Sequence, residues 1–397
     1  MLLGTAGPSS ALAAREYRIT LPAADVDRAA QVIALPPLDD VPRTAVLRGE
    51  RGQRVPLQPG AQGGHVFVLP WQRAGETVTL TLTAGEGETQ GGVEVRKEQG
   101  SVVVRVDGRR AFEFRLDAEA TPRPGIAPEF KRAGYVHPVY SPAGKILTDD
   151  YPSNHVHHHG IWTPWVKTKF EGRAPDFWNM GAKTGAQDLA GLERTWGGAV
   201  HGGFEARLKQ VDLSAPKPVV ALHETWRVTA YHVRDVAGGP VHVFDLDLTQ
   251  TCATPAPLVL PQYHYGGFGL RGADAWNGPG AAALFLTSEG VTDRVAGNNS
   301  RGRWCYLGGK LDGEIAGTAV LGHPANFRAP QPLRLHPNMP YFSYVPQQLG
   351  EFSIEPGTPY VARFRFVAAD GAPDRTRLDA YWQGYARPGV AKVEARR

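Results

Sequence analysis

Val219-Val220-Ala221-Leu222-His223-Glu224-Thr225-Trp226-Arg227-Val228-Thr229-Ala230-Tyr231 reads with a period of two. Leu222, Glu224, Trp226 and Val228 fall on one side, and His223, Thr225, Arg227 and Thr229 on the other. Successive side chains of a strand point to opposite faces, so this is a strand with one apolar face. Val241–Gln250 repeats the pattern, with His242, Phe244, Leu246 and Leu248 on the apolar side and Asp245 and Asp247 opposite. Long strands of this kind belong in a large antiparallel sheet packed against a second one.

The theme runs in both directions. Downstream, Ala281–Thr287, Ile315–Leu321 and Pro359–Val367 are strand-length runs between Pro/Gly loops. Upstream, His65–Leu69, Thr77–Thr83, Val93–Lys97, Ser101–Val106 and Ala111–Arg115 are shorter, and Gly100 and Gly108 sit where hairpin turns are needed. Helical periodicity is confined to Ala186–Arg194 and Asp374–Trp382. The expected architecture is all-β: a small N-terminal β-sandwich over residues 15–117, a Pro/Ala-rich linker over 118–128, and a large antiparallel two-sheet domain over 129–397.

A chain of 397 residues with 42% hydrophobic and 21% charged residues can bury a substantial core and has the composition of a folded protein. No segment approaches the roughly 20 apolar residues of a membrane-spanning helix, so no membrane insertion is expected. The 43 basic and 39 acidic residues are spread without long runs, which argues against a nucleic-acid partner and suits an anionic small ligand equally well. Cys252 and Cys305 are too few for a disulfide scaffold and read as buried thiols, a bridge between them being the alternative. Residues 1–14 end in Ala11-Leu12-Ala13-Ala14 before Arg15-Glu16, like the cleavage end of a secretory signal. A periplasmic or secreted protein is expected on that reading, and a cytoplasmic one with a disordered tail otherwise.

The densest chemistry lies at His155-Val156-His157-His158-His159-Gly160, where four of the thirteen histidines occupy five positions. If the run is extended, His155, His157 and His159 share one side and His158 takes the other. A His-x-His pair on one face can aim two imidazoles at a divalent metal ion, here His157 and His159, with His137, Asp149, Asp150 or Asp176 as a third ligand. The same imidazoles suit proton transfer, because an unperturbed histidine titrates near neutrality. Asp149 and Asp150 orient a histidine, provide a second acid/base group, or belong to a turn, since Thr148–Pro152 has turn composition. Asp176 beside Trp178 and Glu193 near Trp196 are the candidate carboxyl groups of a glycoside-cleaving pair. Gln262–Arg271 is a Gly-rich turn carrying Tyr263, His264, Tyr265 and Arg271, and Gly322–Arg328 adds His323, Asn326 and Arg328. Such mixed donors and acceptors beside Trp162, Trp165 and Trp178 are what a polyhydroxylated ligand requires.

These residues also carry a resemblance. His137-Pro138 with Tyr140-Ser141-Pro142, Leu147-Thr148-Asp149-Asp150, His155-x-His157-His158-His159-Gly160, Asp176-Phe177-Trp178, Gly267-x-Gly269-x-Arg271 and His323-Pro324-x-Asn326-x-Arg328 resemble, in this order, a bacterial family labelled methane oxygenase PmoA-like. The resemblance covers Tyr135 to Val367. It implies a fold similar to the galactose-mutarotase-like supersandwich of many carbohydrate-active enzymes. Tyr263-His264-Tyr265 stands where that family's pattern has an acidic residue, which implies either His264 as a substitute base or a different substrate for this branch.

The leading expectation is a carbohydrate-active enzyme, for glycoside cleavage, elimination or sugar isomerisation. His158, Asp176 and His264 would handle protons. His137, Trp162, Trp178, Arg271, His323, Asn326 and Arg328 would bind substrate, and His157 and His159 the ligand or a divalent metal. The alternatives are a glycan-binding protein without turnover, relying on Trp162, Trp165 and Trp178, and the metal-dependent oxidoreductase that the family label implies.

Overall fold

A computed structural model describes residues 16–42, 45–50, 52–61, 63–83, 91–234, 239–278 and 282–396. The expected signal remnant at 1–14 lies outside the described residues. The body of the chain is a sandwich of two eight-stranded antiparallel sheets. The first runs, in spatial order, Gly185–Trp196, His201–Asp212, Val219–Tyr231, Val241–Cys252, Tyr360–Asp370, Glu314–Gly322, Trp304–Leu311 and Ala283–Thr287. The second runs Leu333–Leu335, Tyr341–Tyr344, Gly269–Arg271, Ile161–Trp162, Val136–Val139, Arg109–Arg115, Ser101–Val106 and Val93–Glu98.

The alternation read from Val219–Tyr231 is the observed one. Leu222, Glu224, Trp226 and Val228 are buried, while His223 and Thr225 are exposed. The inward aromatic residues of the two sheets interlock: Phe112 meets Phe244 with ring centroids 4.4 Å apart and Phe114 meets Phe204 at 4.6 Å, while within the first sheet Phe244 stacks on Phe366 at 4.5 Å. This dry layer fixes the register of both sheets, because a one-residue slip would turn every one of these rings to the other face.

Residues 15–117 do not form one unit. The strands Val93–Glu98, Ser101–Val106 and Arg109–Arg115 hydrogen-bond into the second sheet of the sandwich. Residues 118–128 therefore join Arg109–Arg115 to Val136–Val139, two neighbours of one sheet, rather than linking two domains. The N-terminal strands Glu16–Leu21, Arg28–Leu35, Ala45–Gly49, Arg54–Pro59, His65–Gln72 and Val78–Thr83 form a single seven-stranded sheet with Lys392–Arg396. Ile19, Ile33, Leu47, Leu57, Phe67 and Leu80 from these strands meet in one core. Strand patterns report faces, not partners, so the true boundary was not readable from them.

Ala186–Arg194 is a strand, not a helix. It pairs along its length with His201–Asp212, but two irregularities, between Leu189 and Gly191 and between Leu192 and Arg194, break the two-residue alternation. The other helix candidate forms as Arg375–Ala386, with Asp374 capping it through the Arg377 N–H. Leu378, Ala380, Tyr381 and Trp382 pack on the outer face of the first sheet together with Ala29, Ala30 and Val68 of the N-terminal sheet. The Arg365–Asp245 pair is buried there in a two-pronged contact of 2.7 and 2.9 Å, and Arg365 also donates to the Ala30 carbonyl at 2.8 Å. A Cβ at Gly384 would stand 2.0 Å from the Ala29 carbonyl oxygen. Gly384→Ala is expected to cost about 1–3 kcal/mol, as overpacking does. Urea unfolding measures it, and an unmoved midpoint would refute the close approach.

Both cysteines are free thiols. Among the described residues no helix is long and apolar enough to cross a membrane.

Candidate active site

The chain between Val136–Val139 and Ile161–Trp162, adjacent strands of the second sheet, loops out and returns over the sheet end. The Asp149 N–H donates to the Arg271 carbonyl at 3.1 Å, and the Arg271 N–H to the Gly160 carbonyl at 2.9 Å. Within the loop the His155 N–H reaches the Pro152 carbonyl, the His158 N–H the His155 carbonyl, and the Tyr151 N–H the His158 carbonyl. These are successive turns, not an extended run, so the expected sharing of one side by His155, His157 and His159 does not hold. His157 neighbours His155 and His158, with ring centroids at 5.7 and 4.8 Å, whereas His159 turns inward against Tyr135 at 4.2 Å. Among the described residues no group of three His, Cys, Asp or Glu is arranged to hold a metal ion. The donors at His157 and His159 therefore do not fit the metal site expected of them.

The turn brings Asp150 and His159 together instead. His159 Nδ1 lies 2.7 Å from Asp150 Oδ1, and the Tyr135 hydroxyl donates to Asp150 Oδ2 at 2.9 Å. All three side chains are buried. A carboxylate at Nδ1 fixes the tautomer, leaving the Nε2 lone pair available. That Nε2 is buried and has no protein partner. Burial, reinforced by the Arg132 guanidinium, holds the imidazole well below the ordinary histidine range, so it is a neutral base at physiological pH.

Around this pair lies a box of rings. His158 stands 5.1 Å from Trp162, 6.2 Å from Trp178 and 5.0 Å from Tyr341, and Trp162 and Trp178 are 4.7 Å apart. Each ring carries a polar atom without a protein partner: His158 Nδ1, both indole N–H groups and the Tyr341 hydroxyl. An unmet buried donor or acceptor costs about 1–3 kcal/mol. Four such atoms lie together here. The indole faces themselves are closed: Trp162, Trp165 and Trp178 are 0% exposed, so they are not the open stacking platforms expected of a glycan-binding surface.

Arg271 and Asp149 flank the box. Arg271 is fully buried and donates to Asn154 Oδ1 at 3.1 Å, Asn277 Oδ1 at 2.8 Å and the Met339 sulfur at 3.0 Å. Burial pushes the Asp149 carboxyl up to about 6, against the downward pull of Asp150's backbone and Arg271.

A second polar centre lies beside it. Glu224, inward on the first sheet, accepts from the Thr163 hydroxyl, the Trp226 indole and the side-chain amides of Gln187 at 2.9 Å, Gln210 at 3.1 Å and Gln250 at 3.0 Å. Gln187 in turn accepts from Arg132, a buried guanidinium whose backbone N–H meets the Tyr151 hydroxyl at 3.1 Å. The signal in the sequence was a carboxylate on the apolar face between Leu222 and Trp226.

The remaining expected residues lie elsewhere or do other work. Asp176 accepts from the Trp178 and Asn179 N–H groups and the Asn179 amide at 2.7–2.9 Å, so its carboxylate organises its own loop. His264 is exposed on the rim, between the rings of Tyr263 and Tyr265. His137 faces the Thr148 hydroxyl at 2.9 Å. Glu193 is an exposed partner of Arg207. Asn326 exchanges hydrogen bonds with the Arg363 backbone, Arg328 holds the carbonyls of Pro346, Gly350 and Glu351, and His323 packs on Tyr385. His323 and Asn326 line a different, mostly apolar cavity with Arg303, Tyr344 and Trp382. Among the described residues none of the contacts of His323, Asn326 and Arg328 reaches the His155–His159 loop, so the expected opposite wall is not built from them.

Burial depresses His137, His157, His242 and His336 to about 4. Unfolded histidines titrate near 6.5, so between about pH 6.5 and 4 the unfolded chain binds more protons and stability falls as pH falls. Asp149 and Asp247, both raised to about 6, act in the opposite sense below pH 6 but are outnumbered. The melting temperature is expected to be lower at pH 5 than at pH 7. Equal calorimetric midpoints would contradict this.

A family model described as a family of unknown function, DUF6807, matches residues 101–383, well over half of the chain. The chain belongs to the DUF6807 family. The matched region of this DUF6807 protein contains the Asp150–His159 pair, the ring box and the Glu224 centre, and takes in all the residues from Tyr135 to Val367 that carry the motif resemblance. The first six strands of the N-terminal sheet precede it. No curated protein matches the chain. Among solved structures it is similar to a protein in the glycosyl hydrolase family 38 from Enterococcus faecalis, with 8% identity and a TM-score of 0.36. That match covers 97% of this chain and 47% of the other, so the chain spans about half its length.

Proposed function

We propose that this DUF6807 protein is a carbohydrate-active enzyme that moves a proton at a sugar carbon, as a lyase or isomerase, with His159 as the base. The observation that carries the reading is the 2.7 Å contact from Asp150 to His159 Nδ1 with Nε2 buried and unpartnered. This is the arrangement of an oriented general base. Cleavage by paired carboxylates is less well supported, because it needs two carboxyl groups facing each other across roughly 5–10 Å. Here Asp149 and Asp150 are consecutive and diverge, one toward Arg271 and one to His159, and Asp176 is engaged in its own loop. In this reading Tyr135 holds Asp150, and the free polar atoms of His158, Trp162, Trp178 and Tyr341 take substrate hydroxyls.

The test is solvent-deuterium incorporation into a panel of mono- and oligosaccharides, followed by NMR. Wild type is expected to exchange one carbon-bound proton of its substrate, and His159→Gln to lose about 100-fold or more of that rate. Exchange undiminished in His159→Gln, or absent from every sugar, would overturn the proposal.

A further inference from the structure

We infer that the ligand of this site carries a carboxylate, as in a hexuronate unit, and that Arg271 receives it. The inference rests on the same region being the substrate site, and it concerns recognition rather than reaction. Arg271 is 0% exposed, and the acceptors that hold it are two amide oxygens and a thioether sulfur. All are neutral and orient the guanidinium, while the carboxylates that act on its charge, Asp149 and Asp274, make no hydrogen bond to it. Its Nε has no hydrogen-bond partner. The carboxylate oxygen that approaches it, Asp149 Oδ2, stays 3.9 Å away, beyond hydrogen-bond reach, and is itself unpartnered.

A buried guanidinium facing a carboxylate that it does not close upon is poised for another anion. The geometry also selects the kind of anion. One open N–H beside an aspartate is a place where one carboxylate can stand in for another, whereas a phosphate offers more acceptor oxygens than this donor can meet. Access is from the Asp149 side, where the side chain is 16% exposed with its Oδ2 buried, beneath a rim that includes the exposed Asn154. The ring box supplies the companion feature, polar atoms on aromatic edges suited to the hydroxyls of the same sugar. A neutral hexose would leave Nε unmet.

Titration calorimetry at neutral pH with glucuronate, galacturonate and mannuronate, against glucose, galactose, mannose and glucose 6-phosphate, tests this on the full chain. At least one hexuronate is expected to bind about tenfold or more tighter than its parent hexose and than the sugar phosphate. Arg271→Lys should erase that preference. Because a buried arginine can be needed for folding, Asp149→Asn is the second variant: removing the competing negative charge should strengthen hexuronate binding severalfold. Equal affinity for hexose and hexuronate, preference for the phosphate, no hexuronate binding at millimolar concentration, or weaker binding by Asp149→Asn would each overturn the inference. Hexuronate preference without proton exchange would uphold acid recognition and remove the proposed reaction. Exchange confined to neutral sugars would do the reverse.

Discussion

Glu224→Ala is expected to lower the folding free energy by about 3–5 kcal/mol, the cost of breaking a buried charged network at its centre. The carboxylate is 1% exposed, and the hydroxyl, the indole and the three amides that converge on it come from four strands and the Thr163 segment. Alanine would strand these donors in a place water cannot reach and open a cavity under Trp226. Glu224→Gln keeps the volume but sets an amide N–H among donors, so it should fall between alanine and wild type. Urea unfolding with an unchanged slope measures both. A loss below about 1 kcal/mol for the alanine variant would show that the network relaxes without its acceptor.

Asp150→Asn should leave the fold in place and remove about 10²–10⁴-fold of the proton-exchange rate. An asparagine can present its amide N–H to His159 Nδ1, which would drive the ring proton to Nε2 and abolish the base. The effect should fall on the rate and not on substrate affinity, since Asp150 touches His159 and Tyr135 in the interior. At saturating substrate the wild-type rate should show no limb from His159 near the ordinary histidine value of about 6.5, because burial keeps it neutral well below that. More than a tenth of the wild-type rate in Asp150→Asn would take the pair out of the mechanism.

The strand faces were legible because burial imposes a period of two. Val219–Tyr231 was read with its boundaries and its inward side chains. The His155–His159 stretch was legible as a place but not as a shape. Its chemistry depends on turns that send His159 to Asp150, nine positions away, and no periodicity encodes that. Glu224 stood in view on an apolar face, yet its meaning required Gln187, Gln210 and Gln250 from other strands, and therefore the register of the whole sheet. Composition and the motif resemblance drew His323, Asn326 and Arg328 into the site. Their hydrogen bonds show residues of the same types capping loops and fastening a strand edge.

The pairing of Glu16–Leu21 with Lys392–Arg396 sets Glu16 opposite Arg396. Glu16 and Arg396 thus lie side by side at one end of an antiparallel ladder. A force drawing them apart would load one rung at a time, peeling the strands like a zip rather than shearing all rungs at once. Tension across this pair would reach the helix Arg375–Ala386 and the sandwich behind it only after the N-terminal sheet had lost its edge strand.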